Sequence, residues 1–183
     1  MIKSFTQFVS NLFEKKDGGY SYGCAMVYFD FPKMAEIHQA IDESDVYVDE
    51  SDRTFGLEDE PHTTLLYGLH SAEIPDEKIM EICKSKEFGP LTLSNPSLFE
   101  NEKYDVLKFD VSNPVLNEMN AELSKLPHTT NFPDYHPHAT IAYIKPGMGK
   151  KYVEKLAGQT YEVHPNKIVY SKPDGSRIEE AWS

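Results

Sequence analysis

Two periodicities run along the chain. Short runs in which apolar and polar residues alternate are the signature of half-buried strands, and apolar residues recurring every three to four positions mark helices facing a core. The first run predicts a strand over Cys24–Phe31, ended by Pro32, then a helix with Met34, Ile37 and Ile41 on one face. Asp42 to Asp59 is acidic and weakly periodic, so a short strand at Val46–Val48 and a long loop are expected, with Phe55-Gly56-Leu57 packing down. A strand follows and ends at Gly68. Pro75 opens a helix with Ile79, Ile82 and Cys83 as its stripe, broken at Gly89-Pro90. Leu91–Leu93 and Ser97–Phe99 read as a strand bulged around Pro96, and Asn101-Glu102 turns the chain into a hairpin partner, Tyr104–Val111. Asn113-Pro114 starts a helix that runs to about Leu126, and the loop Pro127–Pro137 delivers a strand ending near Ile144. A helix over Lys150–Leu156 follows. Strands at Thr160–Val163 and Lys167–Ser171, a turn at Pro173-Asp174-Gly175 and a last strand over Ser176–Trp182 complete the pattern. Met1–Phe13 is mildly amphipathic and reads as a helix packed on the body.

Strand–helix–strand occurs twice, which suggests an internal duplication. Mixed strands with segregated helices give an α+β class with mostly antiparallel strands. At 183 residues, the chain is expected to be one compact domain, 1–183, or two small lobes sharing a core. The two halves carry the same signal. Pro61-His62-Thr63-Thr64-Leu65-Leu66-Tyr67 and Pro137-His138-Ala139-Thr140-Ile141-Ala142-Tyr143 each read Pro-His-x-Thr followed by an apolar run. Side chains on a strand alternate faces, so His62 shares a face with Thr64, and His138 with Thr140. Two such strands facing one cleft place two imidazoles and two hydroxyls around one ligand.

That set suits phosphoryl chemistry. A neutral imidazole removes a proton from an attacking oxygen while a protonated one donates to the leaving oxygen. The threonine hydroxyls donate to non-bridging oxygens as charge builds there. No metal or other cofactor is expected: His136 and His138 lie two apart, but no Cys, His or carboxylate set at ligand spacing accompanies them. The chain also holds a third match, Pro127-His128-Thr129-Thr130. Asn131-Phe132-Pro133-Asp134 follows it and cannot form a regular strand, so His128 reads as a loop residue. His38, His70 and His164 read as helix-surface or loop histidines.

The net charge of −12 argues against wrapping long nucleic acid, and leaves open a small anion held in a local basic pocket. There is no apolar run long enough to span a membrane. The two cysteines, Cys24 and Cys83, have no metal-type spacing and read as buried thiols. With no targeting segment expected, these features point to the cytoplasm.

The paired motifs His62-Thr63-Thr64 and His138-Ala139-Thr140 resemble those of the two-histidine, LigT-like phosphoesterase superfamily, whose bilobal fold has two pseudo-symmetric lobes flanking a cleft. Gly56-Leu57-Glu58-Asp59-Glu60-Pro61-His62, Leu66-Tyr67-Gly68-Leu69 and the C-terminal Trp182 give a narrower resemblance, to phage anti-CBASS nucleases. Those enzymes cut 3′–5′ bonds of cyclic di- and trinucleotide immune signals such as cyclic GMP-AMP without a metal. The resemblance implies His62 and His138 as base and acid in an order left open, Thr64 and Thr140 on phosphate oxygens, and a ribose 2′-hydroxyl as nucleophile. It also implies a host-cell cytoplasmic setting and a cyclic nucleotide as the partner.

Five further residues become candidate substrate contacts. Tyr28 is a phosphate or base contact, or else a core tyrosine. Glu58 binds a base edge or is a solvated loop carboxylate. Trp182 is a stacking lid over a base or packs on the core. Lys145, with Lys172, is a phosphate partner or a surface lysine. Alternative readings are a phosphoesterase for linear 2′,3′-cyclic or 2′–5′ phosphodiesters, and a sponge that binds a cyclic nucleotide without cutting it.

Overall fold

The computed structural model describes residues 22–132 and 134–182. The expected helix at Met1–Phe13 lies outside them. Seven strands and four α-helices are formed among the described residues. In chain order they are β1 (Gly23–Asp30), α1 (Met34–Gln39), β2 (His62–Leu69), α2 (Asp76–Lys84), β3 (Leu91–Glu100), β4 (Asp105–Ser112), α3 (Pro114–Leu123), β5 (His138–Ile144), α4 (Lys150–Leu156), β6 (Tyr161–Ser171) and β7 (Arg177–Ala181). The fold is α+β, with every strand pairing antiparallel.

The strand order β2-β1-β6-β3-β4-β5, with β7 on the far side of β6, contains a pseudo-two-fold. The first half of the chain runs β1-α1-β2-α2-β3 and the second β4-α3-β5-α4-β6. Exchanging the halves maps the order onto itself. Each half, however, gives its third strand to the other: β6 lies beside β1, and β3 beside β4. The lobes join where Leu91, Thr92 and Leu93 of β3 meet Val163, Glu162 and Tyr161 of β6.

The duplication extends to a bulge. In β2 the ladder with β1 slips between Leu66 and Thr64, and in β5 the ladder with β4 slips between Ala142 and Thr140. Leu65 and Leu66 therefore both turn to the core, as do Ile141 and Ala142, while His62, Thr64, His138 and Thr140 stay on the other face. A bulge leaves backbone groups unpaired. Here each half supplies a side chain to the other half's bulge. Asn120 Nδ2, on α3, donates to the Leu65 carbonyl at 2.7 Å, and His38 Nε2, on α1, donates to the Ile141 carbonyl at 2.9 Å. His38 is thus a brace and not the helix-surface histidine expected from the sequence.

The edges are covered reciprocally too. The acidic loop before β2 bridges onto β5 at Val46–Ile144 and Leu57–Ala142, and the loop before β5 bridges onto β2 at Leu69–His128. Covered edges offer no template for pairing with another chain. Beneath the helices lies one core built on Leu65, Leu69, Ile79, Leu91, Leu107, Phe109, Leu116 and Met119, all fully buried. Each is worth about 1.5–3 kcal/mol of transfer free energy. The opposite face of β1 and β6 carries a separate small cluster of Met26, Tyr28 and Val169 with Cys24 at its margin.

The sequence pattern differs from the structure in four places. Thr160–Val163 and Lys167–Ser171 are parts of one strand, β6, carried through Pro165-Asn166 by a register shift opposite Tyr28–Phe29. Val46–Val48 makes a single bridge and no strand. The first helix ends at Gln39, before Ile41, although Ile41 is buried. The helix after Asn113 ends at Leu123, short of Leu126. Its start is as expected: the Asn113 side chain caps the Val115 N–H at 2.8 Å, with Pro114 in the first turn.

Candidate active site

The motif strands occupy the two ends of the strand order, yet they come together in space. Tyr135, in the loop before β5, donates its hydroxyl to the Thr64 carbonyl at 2.8 Å, and the Glu58 N–H reaches the Ile141 carbonyl at 3.0 Å. The sheet therefore curls until its ends meet across a cleft, with one His-x-Thr pair on each wall.

The two histidines are held alike. His62 Nδ1 lies 2.8 Å from the Glu60 carbonyl, and His138 Nδ1 lies 2.9 Å from the His136 carbonyl. A carbonyl only accepts, so in both rings Nδ1 carries the hydrogen. Nε2 keeps its lone pair, to work as a base or, once protonated, as an acid. The third motif is an internal control: His128 Nδ1 makes the same bond to the Leu126 carbonyl at 2.8 Å. The bond is thus a local property of the tripeptide around Pro-His. What distinguishes His62 and His138 is the strand that aims them.

Each imidazole packs on an aromatic ring that carries a lysine over its face. In one lobe Tyr28 stacks on His62 at 5.0 Å between centroids, and Lys167 Nζ lies 4.9 Å from the Tyr28 ring. In the other, Phe99 meets His138 edge-on at 4.9 Å, and Lys108 Nζ lies 4.7 Å from the Phe99 ring. The strands supplying them are interchanged. Tyr28 is on the strand next to His62 and Lys167 one strand further, whereas Lys108 is next to Thr140 and Phe99 one strand further. Beside His138, a cavity of about 460 Å³ is lined by Phe99, Lys108, Asp110, Val111, His136 and Pro137.

Desolvation lowers the His138 pKa from 6.5 to about 4; the His136 carbonyl opposes this, repulsion from Lys108 and His62 adds to it, and Asp110 opposes it. His138 is therefore neutral at physiological pH. The sign for stability follows from linkage. The unfolded chain takes up this proton near pH 6.5 and the folded chain only near pH 4, so stability falls as the pH drops through that window. Urea unfolding at pH 7.5 and pH 5 is expected to show a larger acid-induced loss for the wild type than for His138→Gln. Equal losses would place the His138 ring in solvent.

The other candidates divide between the cleft and elsewhere. Thr64 and Thr140 sit half-buried beside their histidines, Thr64 within hydrogen-bond contact of Cys24. Tyr28 is both a buried ring and part of the site; burial pushes its phenol up to about 12, so it remains a donor. Glu58 lies at the rim, within electrostatic reach of Tyr28, and its carboxylate accepts the Glu60 N–H at 3.0 Å.

Trp182 is not in the cleft. The alternation along β7 puts Arg177, Glu179 and Ala181 on the cleft face and Ile178 on the core face, and Trp182 packs edge-on against Phe88 at 5.0 Å beside that core. Its apolar ring gains more from this packing than from an exposed position. Lys145 is also elsewhere. It follows the far end of β5, about 23 Å along the strand from His138, and its ammonium donates to the Ser44 carbonyl at 2.7 Å. Lys172 is held by Asp76 at 2.7 Å. His136 contributes its carbonyl and lines the cavity, and among the described residues no three metal-binding side chains cluster.

Several cleft residues were not singled out from the sequence: Lys108, Asp110, Asn95, Phe99, Lys167 and Arg177. One signal was present. Lys108 is the one basic residue in the run Tyr104–Val111, and it stands on a strand that is buried along most of its length. Lys167 and Arg177 depend on β6 and β7 reaching the first lobe. There Arg177 pairs with Glu60 at 3.1 Å, and Lys167 with Glu179 at 3.0 Å.

No protein-family model matches the chain, and no curated protein matches its sequence. Among solved structures, a protein described as a phosphoesterase superposes with a TM-score of 0.44 at 13% identity, covering 87% of this chain and 95% of its own. Escherichia coli LigT in its apo form gives 0.43 at 14%, covering 89% and 96%, and LigT complexed with phosphate gives 0.40 at 12% over the same shares.

Proposed function

We propose that this protein is a phosphodiesterase that works by two-histidine acid–base catalysis. The observation that carries the reading is the matched presentation of His62 and His138. Two bulged strands from opposite ends of the sheet order bring them to one cleft, each with Nδ1 committed to a carbonyl and a threonine hydroxyl beside it. His138, neutral at physiological pH, is the base, and His62 the acid. The substrate is a ribonucleotide diester. His138 Nε2 takes the 2′-hydroxyl proton, O2′ bonds to phosphorus, and the bond from phosphorus to the leaving O5′ breaks as His62 hands that oxygen a proton. The product is a 2′,3′-cyclic phosphate, and the Thr64 and Thr140 hydroxyls stabilise charge on the non-bridging oxygens.

The finer reading is a cyclic di- or trinucleotide cut at its 3′–5′ bonds, as the resemblance to anti-CBASS nucleases implies. A chain of net charge −12 repels long nucleic acid, while Lys108, Lys167 and Arg177, each within an ion pair, give the cleft face local positive charge toward a compact anion. The test is incubation in EDTA with 3′,3′-cyclic GMP-AMP and, separately, with a linear 2′,3′-cyclic nucleotide, followed by chromatography. Cleavage of the cyclic dinucleotide is expected. Cleavage of the linear substrate alone would keep the phosphodiesterase and remove the immune-signal substrate. Tight binding without cleavage would favour a sponge.

A further inference from the structure

We infer that Lys108 is the cation that neutralises the scissile phosphate, and that Asp110 and Asn95 form a holder from which it is released to the substrate. The inference rests on the two-histidine reading and adds to it a residue outside both motifs.

Lys108 is an unusual lysine. Its side chain is only 9% exposed, yet the residue lines the cavity beside His138, and in register it stands opposite Thr140. A lysine ordinarily keeps its ammonium in bulk water, since desolvating it is costly. Here the stem is enclosed on a strand and the charge reaches the side of the cleft where a phosphate held by Thr140 would sit. The only carboxylate paired with it among the described residues is Asp110, at 2.6 Å, directly across the ladder from His138.

Asp110 does not depend on Lys108 alone. Asn95 Nδ2 donates to its other oxygen, also at 2.6 Å. Burial works against ionisation of Asp110, but the hydrogen bonds from Lys108 and Asn95 outweigh it and hold the carboxyl below its usual range. Asn95 itself sits in the bulge of β3, between Ser94 and Ser97, with φ of 51°. Among the described residues it is the one non-glycine residue in the left-handed region. Backbone in that region is sparsely populated and accumulates at sites of function, and bulges re-aim side chains. Here the bulge aims an amide at Asp110. When the ammonium turns to a phosphate, the carboxylate keeps its second donor and stays ionised. The first lobe has no such arrangement: Lys167 is shared between Glu179 at 3.0 Å and Glu60 at 3.9 Å, and Arg177 takes Glu60 as well.

The same geometry links Lys108 to the base. The charged and titratable groups around His138 are Lys108 and Asp110 on β4 and His62 on β2, with the uncharged Phe99 packed on the ring from β3. Removing the Lys108 charge removes a repulsion and leaves Asp110 to favour imidazolium, so His138 protonates at higher pH.

The experiment compares wild type, Lys108→Met, Lys108→Arg and Asp110→Asn, each checked for folding by circular dichroism. Lys108→Met is expected to lower kcat by about 100-fold or more with a smaller change in KM, and Lys108→Arg to recover most of it. In Lys108→Met the His138 ring, followed by NMR, is expected to titrate above its wild-type midpoint, and Lys108→Arg is expected to leave it near wild type. Asp110→Asn is expected to lower kcat less than Lys108→Met, since it keeps the cation. A folded Lys108→Met with kcat within threefold of wild type overturns the inference. Should wild type cleave no diester, the phosphodiesterase reading fails. Inorganic phosphate then decides for Lys108: a phosphate-induced shift of the His138 resonances that Lys108→Met abolishes supports it, and one that persists overturns it.

Discussion

Replacing either His62 or His138 by alanine is expected to lower turnover by about 10²–10⁴-fold, the range of a general acid or base. The two act in one step, so the double variant is expected to fall little below the worse single one. Neither ring is among the core residues, and each accounts for one bond to a neighbouring carbonyl, so circular dichroism and thermal midpoint are expected to stay close to wild type. The strongest comparison is His128→Ala. His128 has the same preceding proline, the same Thr two residues on and the same Nδ1 bond. It covers an edge of β2. Its replacement is expected to leave kcat within a factor of about two, a bound far below the general-base effect. If His128→Ala were as damaging as His138→Ala, position in the cleft would no longer explain the difference between the motifs.

Gly68→Ala is expected to be the most damaging single methyl addition outside the cleft. Gly68 has φ of +107°, and a Cβ built there would lie 2.0 Å from the Thr129 carbonyl oxygen. That oxygen belongs to backbone and cannot swing aside. The Thr129 N–H is itself bonded to the Gly68 carbonyl at 2.9 Å, and the His70 N–H to the Pro127 carbonyl at 3.0 Å, so the two segments are laced together. Adding left-handed strain to the clash, we expect a loss on the order of 3–4 kcal/mol, read as a fall in thermal midpoint of roughly 10 °C. Ala at Gly175, where φ is +86° and no atom lies within 4 Å of the built Cβ, is expected to cost about 1 kcal/mol. Equal losses at both positions would mean that the crossing of Gly68 by Thr129 does not hold β2.

Most of the element order was legible because each strand and helix announces itself locally. The paired Pro-His-x-Thr runs, the bulge at Pro96 and the Asn113-Pro114 helix start are all short-range signals. The merger of two expected strands into β6 was not legible, since Pro165-Asn166 reads as a break and is carried by pairing with β1. Within the site, the histidines and threonines were legible through repetition. Lys108, Asp110 and Asn95 were not, because their partnership needs β3, β4 and β5 side by side. Trp182 and Lys145 illustrate the converse. A terminal tryptophan and a lysine after a motif strand look available in one dimension, and in three they are used for packing on Phe88 and for holding Ser44.

The exchange of third strands has a consequence for how this protein can be divided. A cut in the hairpin between β3 and β4, near Asn101–Lys103, would yield two fragments of similar architecture, each lacking an inner strand of its own sheet and holding the one its counterpart lacks. Each would expose one flank of an apolar strand and leave the other fragment's bulge without its brace from His38 or Asn120. Mixed, the two would complete each other. The protein is thus a natural candidate for fragment complementation, in which the return of catalysis reports that the halves have met.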